Sequence, residues 1–215
     1  MTPREPFEAQ LAPGRIVRGI RVRAEEAKGV ILFLHEMGKD LDEFGFLPEV
    51  LARSGFDCVC IDLVGHGLSD GEVPEPASLR ADVVGVLAQL ADGDLPLGLV
   101  ASGTTASVSA VIGRPDGVVA EVVLNPVVDD SIVAQGTRVH ATRMVLHGDG
   151  ENLVGTPTQR YFQMQLGEKM LVHNPAMVGG VAGLMRERAL LAHVELFFRR
   201  YLKRERPWGG PREGR

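Results

Sequence analysis

The residues best placed to do chemistry lie in Leu97 to Ala110, LGLVASGTTASVSA. An apolar run, Leu97-Gly98-Leu99-Val100, stops at small residues, and a segment of Ala, Ser, Thr and Val follows. That is how a buried strand reads when it turns sharply into a helix whose first turn packs close to a sheet. In the frame small-x-nucleophile-x-small, such a turn presents a hydroxyl for acyl transfer, and small flanking residues let the strained backbone close. The frame fits best as Ala101-Ser102-Gly103-Thr104-Thr105, which puts Gly103 at the nucleophile position. Glycine has no side chain to attack with. A one-residue slip would bring Ser102 to the apex, but Val100 then falls where a small residue is wanted. Thr104 and Thr105 read as helix-start hydroxyls that satisfy backbone N–H groups.

A serine hydroxyl has negligible nucleophilicity at neutral pH without a base to take its proton. The imidazoles are poorly placed for that duty. His35 ends an apolar run, His66 sits in a glycine-rich loop and His140 precedes a strand. His173 lies within an apparent strand and His193 inside the last helix, where rings are packed or solvated rather than catalytic.

The elements that must position these groups alternate. Residues 15–24, RIVRGIRVRA, read as an outer antiparallel strand with one wet face. Val30 to His35 and Phe56 to Val64 are continuous apolar runs, the pattern of parallel strands covered on both sides. Between them the apolar positions Phe46, Leu47, Val50 and Leu51 predict a helix, with Pro48 in its first turn and Gly55 at its stop. A helix over Ala77 to Ala91 puts Leu79, Val83, Val86, Leu87 and Leu90 on one stripe. Strands follow at Leu97–Ala101, Val118–Leu124, Thr142–His147 and Met170–His173, with helices near Thr156 to Leu166 and Met185 to Leu202. In the last helix Leu190, Val194, Phe197, Phe198 and Tyr201 form the inward face. Such alternation predicts an α/β protein, a mostly parallel sheet flanked by helices.

Composition narrows the functional classes. With 215 residues, 45% hydrophobic and 24% charged, the chain reads as one soluble domain with a basic tail from about residue 203. A net charge of -5 argues against nucleic-acid binding, which calls for a basic face. From Arg199 the chain reads RRYLKRERPWGGPREGR, a solvated terminus or a docking tail. Cys58 and Cys60 are one residue apart on a strand, share a face and cannot form a relaxed bridge. Reduced core thiols of this kind predict a cytoplasmic protein. The opening MTPREPFEAQLAPG lacks the apolar core of a signal peptide, and no run has the length of a membrane span. Nothing in the sequence calls for a metal or a cofactor.

The segment VILFLHEMGKDLDEFGFLPEVLARSGFDCVCIDLVGHGLSDGE resembles the α/β-hydrolase fold, and the resemblance runs from about Arg15 to Leu202. Its most specific parts are LFLHEMG and, at the expected distance, the loop Gly65-His66-Gly67-Leu68-Ser69-Asp70-Gly71. The resemblance implies a central sheet without a cap domain, since only a short connection follows Val118–Leu124. It also implies an oxyanion hole from the backbone N–H groups of Met37 and Thr104. The family's His-Gly is His35-Glu36 here, which puts a carboxylate beside a site meant to stabilise an anion. His35 is expected to orient that loop through hydrogen bonds. The frame G-x-x-D-x-x-V fits Gly148 to Val154 with Glu151 at the acid position; Asp149, Asp129 and Asp130 are alternatives. The triad histidine is expected near Asn174-Pro175-Ala176-Met177-Val178-Gly179-Gly180, where Gly179 or Gly180 stands instead.

Nucleophile and base are thus both replaced by glycine, and groups that act as one unit fail together. One reading is a catalytically degenerate α/β-hydrolase-like protein that binds a small molecule or a protein partner. The other is an esterase-like or thioesterase-like serine hydrolase using Ser102, Glu151 and a histidine from elsewhere. A purely structural subunit shares every feature of the first.

Overall fold

The computed structural model describes residues 3–91, 93–127, 140–148, 159, 162–163, 167–174 and 180–203. Its eight strands are β1 (Arg4–Ala12), β2 (Arg15–Val22), β3 (Val30–Leu34), β4 (Asp57–Ile61), β5 (Leu97–Ser102), β6 (Val118–Leu124), β7 (Thr142–His147) and β8 (Lys169–His173). They form one sheet in the order β1-β2-β4-β3-β5-β6-β7-β8. The pairs β1–β2 and β2–β4 are antiparallel, and every pair from β4 to β8 is parallel. Helices α1 (Leu47–Arg53), α2 (Pro76–Leu90), α3 (Ala106–Ser109), α4 (Val181–Arg186) and α5 (Arg188–Tyr201) flank it.

Period-two geometry divides each central strand between two cores. In β3, Ile31 and Phe33 join Phe44, Leu51 and Phe198 beneath α1, α4 and α5. Leu32 and Leu34 face the other way, onto Val83, Val86 and Leu87 of α2. Both faces of β3, β4 and β5 are therefore covered, which is why these strands are apolar except for Asp57 at the start of β4 and Ser102 at the end of β5. Cys58 and Cys60 share the first core as free thiols, and burial pushes both well above the usual thiol range.

Three expectations need correction. The strand at Arg15–Val22 is not the outer one, because β1 pairs beyond it along its whole length. The final helix, α5, begins at Arg188 rather than near Met185, because Glu187 in an extended conformation (φ -103°, ψ 95°) separates it from the short α4. The helix after the elbow is only the four-residue α3, preceded by a 3₁₀ turn at Gly103–Thr105. No helix among the described residues is long and apolar enough to cross a membrane.

Candidate functional site

The site is built at the C-terminal ends of β3 and β5, where open parallel sheets place ligand-binding groups. Gly103 stands at the apex between β5 and the 3₁₀ turn with φ +55°, a backbone conformation that favours glycine. Its carbonyl accepts the Val127 N–H at 3.0 Å, which ties the segment after β6 to the apex.

The space over this apex is filled. A Cβ on Gly103 would lie 2.5 Å from both Cδ and Oε1 of Glu36 and 2.7 Å from its Cγ. Glu36 does not turn away to solvent; its side chain lies where a nucleophile's side chain would begin. The residue beside the apex, Ser102, is the last of β5, extended and 2% exposed. Its hydroxyl donates to Oε1 of Glu43 at 3.0 Å. The other carboxylate oxygen of Glu43 accepts the Glu36 N–H at 2.7 Å. Glu43 was not among the expected site residues. Asp40-Leu41-Asp42-Glu43 carries a capping-box pattern, which directs such a glutamate back to its own turn. The Asp40 side chain does cap the turn at the Asp42 N–H, but Glu43 reaches across to β5 instead.

The two expected oxyanion donors are also brought together. The Met37 N–H donates to Oγ1 of Thr104 at 3.2 Å, so a side chain of the elbow occupies that donor. Thr104 and Thr105 do not cap the helix start, contrary to expectation. The Thr105 hydroxyl lies 2.7 Å from the carbonyl of Ser102 and 3.2 Å from that of Leu34, acceptors left over where strand hydrogen bonding ends.

His35 and His66 hold the loop that carries Glu36 and Met37. Nε2 of His35 accepts the Leu63 N–H at 3.0 Å, so the ring proton sits on Nδ1, which faces the Glu36 carbonyl at 2.8 Å. His66 repeats the arrangement, with Nε2 accepting the Gly38 N–H at 3.1 Å and Nδ1 facing the Val64 carbonyl at 3.1 Å. The rings meet edge to face at 5.1 Å. Burial lowers the His35 pKa from the ordinary value, so the neutral ring is favoured. Asp62 anchors the next loop, its carboxylate accepting the N–H groups of Leu41 and Leu68, both at 2.9 Å. Gly67 passes so close that a Cβ there would fall 2.1 Å from Asp62 Oδ2. The residues Gly65 to Gly71 are thus a wrapping around a buried carboxylate.

Glu151 and Gly179 lie outside the described residues, as do Asp129, Asp130 and Asp149. At the ends of β7 and β8, His147 and His173 are register neighbours with rings 6.1 Å apart. Among the described residues no group of three or more His, Cys, Asp or Glu could hold a metal ion.

A model of the serine aminopeptidase family, S33, matches residues 25–178. The chain belongs to this α/β-hydrolase family. Solved structures carry the same fold: the dienelactone hydrolase of Anabaena variabilis is 18% identical with a TM-score of 0.74, over 94% of this chain and 99% of that one. An esterase from Pyrococcus furiosus is 11% identical with a TM-score of 0.72, over 94% and 93% of the two chains. An alpha-beta serine hydrolase homologue from Coxiella burnetii is 19% identical with a TM-score of 0.71, over 90% and 98%. No curated protein matches the sequence. At these identities the neighbours establish the fold, and the chemistry of this α/β hydrolase must be argued from its own residues.

Proposed function

We propose that this chain is a non-hydrolytic member of its α/β-hydrolase family, a cytoplasmic protein of one domain with a basic C-terminal tail, which binds a small molecule or a protein partner. The observation that carries the reading is the Glu36 side chain in the space above Gly103. Acyl transfer needs a nucleophilic side chain there and an unencumbered pair of N–H donors facing the developing oxyanion. Glycine supplies no hydroxyl, a carboxylate opposes the negative charge, and Thr104 takes the Met37 N–H. The two histidines nearest the elbow face backbone N–H groups with the nitrogens that would have to accept a proton.

A second reading, an esterase-like enzyme on Ser102, draws on one contact, the 3.0 Å hydrogen bond from Ser102 to Glu43. Against it stand the burial of Ser102 and its extended position before the apex. A fluorophosphonate probe together with p-nitrophenyl acetate separates the two. The non-hydrolytic reading expects neither labelling nor turnover above buffer. Labelling that disappears in Ser102→Ala would overturn it in favour of the second.

A further inference from the structure

At the opposite end of the sheet from the elbow lies a cavity of about 600 Å³. Val119 and Thr142 near the starts of β6 and β7 form part of its floor, and α5 closes one side. A seven-residue strand separates the two ends, about 20 Å at the usual rise per residue. Among the described residues three cations line the cavity, Arg114, Arg200 and Lys203, together with His140 and Tyr201, against a single carboxylate, Glu168. This concentration is out of keeping with a chain whose net charge is -5.

Among the described residues two of the cations have no counter-ion. Among the described residues neither the Arg200 guanidinium nor the Lys203 ammonium takes part in an ion pair or a side-chain hydrogen bond, whereas the next residue, Arg199, pairs with Glu195 at 3.4 Å. Arg200 lies 5.4 Å from the ring centroid of Tyr201. A cation–π contact uses no hydrogen-bond acceptor, so the N–H groups of Arg200 remain available to one. Cations in a last helical turn are favoured by the helix dipole, which accounts for a basic end to α5. It does not account for Arg114, which comes from the turn before β6, or for the hollow between them.

We propose that this cavity is a binding site for a small phosphorylated molecule, with the phosphoryl oxygens accepting from Arg200, Lys203 and Arg114 and the remainder of the ligand lying along Tyr201. A guanidinium fork matches phosphate oxygens in pairs, and a cavity of this volume suits a ligand of sugar-phosphate or mononucleotide size. The site is independent of the elbow and does not rest on the reading of the elbow as non-hydrolytic.

Calorimetric titration of the full chain with ribose 5-phosphate and with inorganic phosphate, against sodium chloride at equal ionic strength, tests the proposal. Both phosphates are expected to bind, ribose 5-phosphate more tightly. Arg200→Gln with Lys203→Gln should weaken binding about tenfold or more, while Arg199→Gln on the same helix leaves it unchanged. Glu168→Gln removes the opposing carboxylate of the described lining and should tighten binding severalfold, a gain that misfolding cannot imitate. If the double variant does not fold, Lys203→Gln and Glu168→Gln alone decide the matter. Phosphate that binds no better than chloride, an equal loss in Arg199→Gln, or no gain in Glu168→Gln would each overturn the site. Binding only to phosphatidic acid vesicles, with no affinity for either soluble phosphate, would overturn the small-molecule assignment.

Discussion

Adding a single methyl group at Gly103 tests whether the elbow and the Glu36 loop are one packed unit. In Gly103→Ala the new Cβ meets Glu36 Cδ and Oε1 at 2.5 Å, so the Glu36 side chain must leave. A non-glycine residue at φ +55° carries roughly 1–2 kcal/mol of backbone strain. Overpacking costs about 1–3 kcal/mol, and the lower end applies because the obstructing atoms end a flexible side chain. The single variant should therefore lose about 2–3 kcal/mol. Glu36→Ala removes the very atoms that clash and keeps the N–H that donates to Glu43. On its own it should cost no more than about 0.5 kcal/mol, as for most partly exposed positions. In the double variant the steric part vanishes and only the strain of about 1–2 kcal/mol remains, a coupling near 1 kcal/mol. Urea unfolding of the four proteins measures it, with unchanged m-values as the condition for comparison. Additivity within about 0.5 kcal/mol would refute the reasoning, because Glu36 then does not occupy the apex in solution.

Three further outcomes follow from the same structure. Gly103→Ser with Gly179→His is expected to restore weak p-nitrophenyl acetate hydrolysis only when Glu36→Ala is added; equal rates with and without that change would count against the obstruction. His35 has a folded pKa below the ordinary 6.5, so its contribution to stability is present above about pH 6.5 and lost as the pH falls toward the lower folded value. Unfolding midpoints between pH 7 and 5 should fall more steeply for the wild type than for His35→Gln, and parallel curves would show that His35 does not titrate in this way. Arg143 and Glu121 are register partners on β7 and β6, both buried, joined at 2.5 Å, with the Arg143 Nη2 donating to the Ile112 carbonyl at 2.7 Å. Arg143→Met leaves Glu121 buried without its counter-ion and should cost about 3–5 kcal/mol, whereas Arg143→Met with Glu121→Leu should recover most of it, as read by thermal unfolding.

How far the sequence reaches depends on what kind of signal each element leaves. Strands β6 and β7 begin and end where the sequence places them, because the apolar residues of Val118–Leu124, interrupted by Glu121, and of Met144–Leu146 are buried or half-buried on both faces. β1 left no such signal: REPFEAQLA lies at the sheet edge, mostly exposed, and its charged residues and Pro6 read as a loop. The break between α4 and α5 has neither Gly nor Pro at Glu187, so periodicity runs straight across it. The elbow was legible from small residues at fixed spacing, down to the glycine at its apex. Glu43 was not, since its meaning lies in a hydrogen bond to a residue 59 positions away, for which local pattern has no code.

On the non-hydrolytic reading proposed above, the residues at the elbow make sense as one arrangement rather than several. Once glycine stands at the apex, the volume of the missing side chain is open to whatever the adjoining loop can extend into it, and Glu36 does so. Glu36 replaces a glycine in the family's pattern, and its backbone N–H is held by Glu43, which also takes the Ser102 hydroxyl. Thr104 then closes the far side by accepting from Met37. Buried polar groups are costly when unpaired; here Glu43 satisfies the Ser102 hydroxyl and the Glu36 N–H, and Thr104 satisfies the Met37 N–H. A ligand that enters this end of the molecule must displace Glu36 or bind on top of it. On the non-hydrolytic reading, the chemistry at this end of the molecule is that of the Glu36 carboxylate beside Gly103.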